Sequence, residues 1–273
     1  MLPNQPLSLA LAGLLWPPPD APASTGAASA PAEVDAERLR PALTWAARAG
    51  FRCVQLSAAA PGLRARDLDR SARRDLAATL RRQGLALSGL DLWIPPEHFR
   101  LADRQDRAVS ATLGAIELTT ELVRLDGGPA ARPVLAVGLP ADIPDAVLST
   151  LTNHAAHHGC TLADHAWPRT ASSAAAGLGK GVDPAAVLMA GGDVLQAAAS
   201  GPLASARLSD VTFAGRCGPG SPGGRLDLLA YHAALHAANW LSWVTLDLRL
   251  VPDQPRAAAR AAEAWHGVTT QFG

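Results

Sequence analysis

Apolar residues fall in short blocks separated by longer Ala- and Arg-rich stretches with helical period. Leu7 to Leu14 reads as a first strand, followed by a Pro/Ala/Ser-rich loop from Trp16 to Pro31. Glu33 to Ala49 has apolar residues at helical spacing, acids in its first turn and Gly50 as a stop signal. The same alternation then repeats. Strands are predicted at Phe51 to Leu56, Leu85 to Trp93, Pro133 to Leu139, Cys160 to Asp164, Leu178 to Asp183, Ala204 to Phe213 and Trp243 to Leu248. Helices are predicted at Leu68 to Gln83, Asp103 to Leu125, Ile143 to His158, Leu226 to Ala238 and Gln254 to Val268. A poor helix or loop is expected at Ala171 to Ala176. The layer after the sixth strand begins at Pro184 and continues through Asp193 to Ser200.

Short apolar strands alternating with helices imply a parallel sheet. Eight units of about 34 residues imply closure into a (βα)8 TIM barrel, with residues 1–273 as one domain. An open doubly wound sheet is the rival, but no GxGxxG follows the first strand.

Composition narrows the function classes. The chain is 48% hydrophobic, enough for a large core. Lys+Arg and Asp+Glu are both 24, so no long-range field attracts a polyanion, which argues against nucleic-acid binding. Cys53, Cys160 and Cys217 are too scattered for a disulfide framework or a CxxC metal site, and a reduced, cytoplasmic setting is expected. Pro6 to Trp16 is mostly apolar, but no basic residue precedes it, and the small-residue stretch Ala27 to Ala30 lies far downstream. A buried first strand is therefore expected rather than a secretion signal. No run reaches the ~20 apolar residues of a membrane span.

The order of motifs resembles the xylose isomerase-like TIM-barrel family, which includes sugar phosphate isomerases and epimerases. The fifth strand ends in Leu162-Ala163-Asp164-His165, where the family commonly has a Leu-Glu-Asn-His-like stretch. The sixth ends in Asp183-Pro184-Ala185-Ala186, then Ala190-Gly191-Gly192-Asp193, similar to Asp-Pro-Gly-His and Ala-Gly-x-Asp. The seventh reads Ser205-Ala206-Arg207-Leu208-Ser209-Asp210, against His-Val-His-Leu-Lys-Asp. Gly224-Arg225-Leu226-Asp227 precedes the next helix, and Trp243 to Leu246 leads to Asp247. The similarity in order runs from about Leu39 to Trp265.

The resemblance implies a divalent metal (Mn²⁺, Mg²⁺, Co²⁺ or Zn²⁺) held by Glu, Asp, His and Glu from the last four strands. Carboxylates would shuttle a proton beside a polarised carbonyl. Carried over, the first Glu is Ala163 and the Asp is Asp183. The seventh-strand His falls on Ser205 or Arg207, the His after Asp183 falls on Ala186, and the last Glu is shortened to Asp247. Two carboxylates remain where four ligands are expected, so weak or absent metal binding is predicted.

Each candidate also has a structural role open to it. Asp183 ends a strand, where barrel enzymes place functional groups, and can cap the helix at Pro184. Asp247 is its counterpart on the last strand, or the partner of a nearby Arg. Arg207, on the lumen-facing parity, suits a phosphate or carboxylate, or else neutralises Asp183 and Asp247. Asp164 reaches the lumen only through a bulge, and His165 lies in the following loop. Asp210 is a substrate ligand or a loop cap, and Gln55 a sugar-binding amide or a satisfied rim residue. Trp93 can stack on a sugar or pack on Pro95 and Pro96, beside Asp91 in the same strand end. Glu97 and His98 are the alternative acid/base pair. His154, His157 and His158 have metal-like spacing but are read as a solvated helix face. Lys180, at an odd offset from Asp183, is expected to face outward, which disfavours a Schiff-base aldolase. Gly215 to Gly224 reads as a flexible loop over the mouth.

These residues support three function classes. The leading one acts on or binds a sugar or sugar phosphate at the C-terminal mouth, with an eroded metal centre. A second is an inactive barrel that binds a small molecule or a partner. A third, apurinic endonuclease-like metal-dependent hydrolysis, uses more His and acidic ligands than remain.

Overall fold

The computed structural model describes residues 5–16, 32–127, 132–168 and 177–270. The segments expected as a loop at 17–31 and as a poor helix or loop at 171–176 lie outside the described residues. Eight parallel strands form a closed barrel: β1 (Leu7–Ala10), β2 (Cys53–Ser57), β3 (Ala86–Leu92), β4 (Val134–Val137), β5 (Thr161–Asp164), β6 (Leu178–Val182), β7 (Leu203–Leu208) and β8 (Val244–Leu246). Each strand pairs with its sequence neighbours, and β1 closes the ring against β8. The outer layer carries α1 (Ala36–Arg48), α2 (Arg70–Arg82), α3 (Ala102–Asp126), α4 (Asp145–His158), α5 (Pro184–Met189), α6 (Val194–Ala199), α7 (Leu228–Ala237) and α8 (Gln254–Thr270). No described helix is long and apolar enough to cross a membrane.

The helix ends follow from local chemistry. Asp35, Asp69, Asp183, Asp193 and Asp227 each accept a backbone N–H one turn into the helix they start. Gly127 and Gly159 close α3 and α4 in the left-handed conformation, with φ of 70° and 65°.

Register divides each strand into two faces. Leu9, Leu246 and Leu208 stand side by side and are buried in the core shared with the helices. Ser8, Thr245 and Arg207 form the adjacent register row, and all three are buried. That row faces the lumen, so the interior of this barrel is polar rather than filled with branched aliphatics. The wall made by β4 to β6 is lined instead by small residues: Ala136, Ala163 and Gly179 in one register row, with Gly181 two residues further along β6. They leave space for one long side chain.

Two irregularities shape the mouth. The β2–β3 register shifts between Val54 and Gln55, so Gln55 pairs with Gly89 and Ser88 is the extra residue. Gly89 sits at φ 138°, and an added Cβ would lie 2.4 Å from the Val134 carbonyl oxygen. The bulge turns Asp91 inward. Second, the stretch expected as one strand from Ala204 to Phe213 bends at Ser209. Asp210–Thr212 then pairs antiparallel with Gly215–Cys217 as a short hairpin. The flexible loop expected from Gly215 is thus replaced, over its first residues, by a hairpin arm.

Candidate functional site at the barrel mouth

Arg207 projects from β7 into the lumen and is 1% exposed. β3 lies opposite β7 in the closed ring. The Arg207 guanidinium therefore spans the barrel: Nη2 bonds Asp91 Oδ2, at the end of β3, and Nη1 bonds Asp247 Oδ2 at 2.8 Å. Asp183 Oδ2 lies 4.0 Å from Nη1. From α7, the Tyr231 hydroxyl donates to the Arg207 carbonyl at 2.8 Å and fixes the strand behind the charge.

Two further guanidiniums close over this core. Arg216, on the hairpin arm, lies 3.4 Å from both Asp183 and Asp247. Arg249, just after β8, donates from Nη2 to Asp247 at 2.5 Å and lies 3.7 Å from Asp91 Oδ1. Its guanidinium also sits 4.5 Å from the centre of the Trp93 ring. Three buried carboxylates thus meet three guanidiniums, as burial of charge requires.

The environment differs at each acid. Burial opposes ionisation of Asp183, but Arg216, Arg207 and the Ser209 hydroxyl outweigh it, and its carboxyl lies below the ordinary value. At Asp91 burial prevails over Arg207, and the carboxyl is raised. At Asp247 burial again prevails, over Arg207 and Arg216, and the carboxyl is pushed up to about 7. Burial also opposes the charge on Arg207, but Asp91, Asp247 and Asp183 hold it on.

The other expected site residues separate into groups. His165 is buried at the mouth with its ring against Gly181, where an added Cβ would come within 2.6 Å of it. Gln55 is buried in the lumen wall. Trp93 is half-exposed and packs over Gly138 and under Arg249. Asp164 is tied to the backbone: its Oδ1 accepts from Leu139 and Ala166 N–H, both at 3.0 Å, so it joins two rim loops without the lumen-facing bulge. Asp210 is a loop cap, with Oδ1 accepting from the N–H groups of Val211, Arg225 and Leu226. Glu97 and His98 lie in a 3₁₀ turn outside the cluster; Glu97 is exposed and His98 contacts Arg104 at 2.9 Å. Lys180 faces outward, and its Nζ donates to the carbonyls of Ala197 and Ala198 at the end of α6.

The mouth does not fit a divalent ion. Ala163 and Ala186 offer no side-chain donor, and Asp183 and Asp247 are already engaged by guanidiniums. A divalent cation between them would face three permanent positive charges. The cluster does leave N–H groups over. Among the described residues, Nε of Arg207, Nε and Nη2 of Arg216 and Nη1 of Arg249 are buried without a hydrogen-bond acceptor. Next to Trp93 and His98 a cleft of about 1170 Å³ opens between the strand ends and α3.

Asp91, Arg216 and Arg249 complete a site that the sequence reading assembled only in part. A glycine in β3, a glycine opening the hairpin arm and an Arg two residues past Asp247 were the available signals.

Such a charged constellation at the C-terminal strand ends of a (βα)8 barrel occupies the position where barrel enzymes carry their sites. No protein-family model matches the chain, and no curated protein matches it. Among solved structures it is similar to a xylose isomerase domain protein from Planctomyces limnophilus, at 15% identity over 98% of this chain and 99% of that one, with a TM-score of 0.69. It is similar to the IOLI protein, solved with a bound zinc atom, at 14% identity over 88% and 95% of the two chains, TM-score 0.63. It also resembles D-allulose 3-epimerase from Methylomonas sp., solved in complex with D-allulose, at 13% identity over 97% and 98%, TM-score 0.61. The chain has the fold of the xylose isomerase-like TIM barrels.

Proposed function

We propose that the mouth binds a sugar or sugar phosphate, and that it does so without a divalent ion at the strand ends. One observation carries this reading: Nε of Arg207 and Nε of Arg216 are buried without an acceptor, and Arg216 Nη2 and Arg249 Nη1 meet their acids only as ion pairs at 3.4 and 3.7 Å, without hydrogen-bond geometry. Buried donors are costly unless matched, and phosphate or sugar oxygens would match them. Asp91 and Asp247, both pushed toward the neutral form, leave the cluster leaning positive, which favours an anion. Trp93 lines the cleft, half-exposed, with Arg249 over its ring, so a sugar bound there would meet the indole edge and the guanidinium together. The fold supports the choice of a sugar, since one of its structural neighbours was solved with D-allulose.

The test is calorimetry with a panel of sugars, sugar phosphates and inorganic phosphate, with and without EDTA. The expected result is binding of a sugar phosphate that EDTA leaves unchanged and that Arg216→Ala weakens. Binding that requires added Mn²⁺ or Zn²⁺, or none across the panel, contradicts it.

A second reading retains chemistry. Asp247, lifted to about 7, is placed in the range where a carboxyl can exchange a proton near neutrality. Its partner in proton transfer beside a carbonyl would be Asp183. Incubating the protein with candidate ketoses and aldoses in D₂O would expose this activity as deuterium appearing at carbon. No exchange above background leaves a binding barrel.

A further inference from the structure

We propose a second, independent site on the outer helical layer: a transition-metal site formed by Glu117 of α3 with His154 and His158 of α4. The two histidines are four residues apart, one helical turn, and so share a face of α4. Their rings lie 4.4 Å apart between centroids. α3 packs alongside α4 and brings Glu117 to the same spot, with its Oε1 3.1 Å from His154 Nε2. One ligand atom from each of the three lies within 4.8 Å of the other two.

The donor set is chemically specific. Two imidazoles and one carboxylate suit Zn²⁺, Ni²⁺, Co²⁺ or Cu²⁺ and give little to Mg²⁺ or Ca²⁺. Bonds of about 2.0–2.2 Å in a tetrahedral zinc site hold ligand atoms roughly 3.3–3.5 Å apart. The observed separations need only small rotations to reach this. The side chains are free to make them, since Glu117 is 52% and His154 26% exposed. α4 ends at His158, and the unpaired carbonyls of a last turn favour a cation. Three protein ligands leave a coordination position to water, so the site is open. Its effect on the fold would be to clamp α3 to α4. His157 is outside the set: its ring meets His158 edge-on at 5.1 Å.

No guanidinium of the mouth takes part, so this site stands or falls separately from the reading of the barrel mouth. The experiment uses the full chain without an affinity tag, stripped with EDTA and dialysed. Zn²⁺ is titrated by calorimetry, with Mg²⁺ in parallel, and melting is followed by circular dichroism. One equivalent of Zn²⁺ is expected to bind and raise the melting temperature, with no effect of Mg²⁺. His154→Ala and His158→Ala should each weaken Zn²⁺ by about tenfold or more, Glu117→Gln by several-fold, and His157→Ala should leave it unchanged. All four positions are on the helical surface, and an unchanged apo-protein melt will confirm that the variants fold. Absence of Zn²⁺ binding by the wild type overturns the proposal. So does unchanged affinity in the His154→Ala/His158→Ala double variant, which would locate the metal elsewhere.

Discussion

Replacing Arg207 by Met removes the charge that spans the barrel and keeps much of the side chain's apolar bulk. The consequence differs among the three acids. Asp247 retains Arg249 at 2.5 Å and Arg216 at 3.4 Å. Asp183 retains Arg216 at 3.4 Å and the Ser209 hydroxyl at 2.5 Å. Asp91 keeps only Arg249, at 3.7 Å, and is 1% exposed. The variant therefore strands chiefly Asp91. Breaking a buried pair from one side costs about 3–5 kcal/mol. In a chain of this size that lowers the melting temperature by roughly 10 °C. Urea unfolding followed by circular dichroism measures the loss directly. A second change, Asp91→Asn, should recover part of it, because an amide needs no counter-charge; the coupling should be about 0.5–3 kcal/mol. Adding Asp183→Asn should recover less. A loss below about 1 kcal/mol, or equal recovery from either amide, would show that Arg207 is not the brace described, since a surface pair is worth no more than that.

Arg216→Ala should weaken sugar phosphate binding by about 1.5–3 kcal/mol, the worth of a charge-assisted hydrogen bond, and should also lower the melting temperature of the free protein, because it leaves buried Asp183 with one close cation fewer; isothermal titration checks the first and a thermal melt the second. Asp247 gives a pH signature. Its ordinary value is 3.8 and its folded value about 7, so its contribution to stability is complete below 3.8 and is lost as pH rises through 7. Asp183, held below the ordinary value, contributes above it and loses that contribution as pH falls further. Urea midpoints should therefore decline from about pH 4 to about pH 7, and Asp247→Asn should flatten the slope. Binding of a sugar sulfate, whose own charge is fixed, should tighten as pH falls over the same range; a flat profile would count against protonation of Asp247. Gly181→Ala drives a Cβ to within 2.6 Å of the His165 ring and should destabilise by about 1–3 kcal/mol, measured by thermal melts.

The barrel was legible because each strand–helix unit carries its own punctuation. Asp35, Asp69 and Asp227 start helices, and Gly127 and Gly159 end them, all through bonds made within a few residues. Arg207 and Lys180 were legible for a similar reason, since parity along a strand is local. The failures came where the backbone departs from regularity. Strict alternation cannot foresee that Ser88 is a bulge residue, so it gave no reason to aim Asp91 inward. The run Val211-Thr212-Phe213 reads as a buried strand end, but Phe213 sits fully exposed at the hairpin turn, and Arg216 comes back along the second arm. Glu117 beside His154 and His158 is a product of helix packing, and no spacing within one element announces it.

The charge count explains why the mouth settles as it does. Asp91, Asp183 and Asp247 converge on one small volume from the ends of three strands, and each is at most 4% exposed. Three buried carboxylates need close to three positive charges nearby. A divalent ion would supply two and would need additional neutral donors, which Ala163 and Ala186 do not offer. Arg207, Arg216 and Arg249 supply three, and each also forms directional hydrogen bonds. The small wall of Ala136, Ala163, Gly179 and Gly181 is the steric counterpart, since it leaves room for the guanidinium that reaches Asp91 across the lumen. The absence of donors from one wall and the long cation on the other are thus two halves of one arrangement. Building a metal site here would require changing both. Arg207→His alone should leave Asp91 stranded and the protein destabilised. Arg207→His with Ala163→Glu should place a His, a Glu, Asp183 and Asp247 at the ends of β5 to β8, and should recover stability only when Mn²⁺ or Zn²⁺ is added. If that double variant binds no metal, or if the metal stabilises the Arg207→His single variant as much, the arginine is not standing where an ion would, and the charge argument fails.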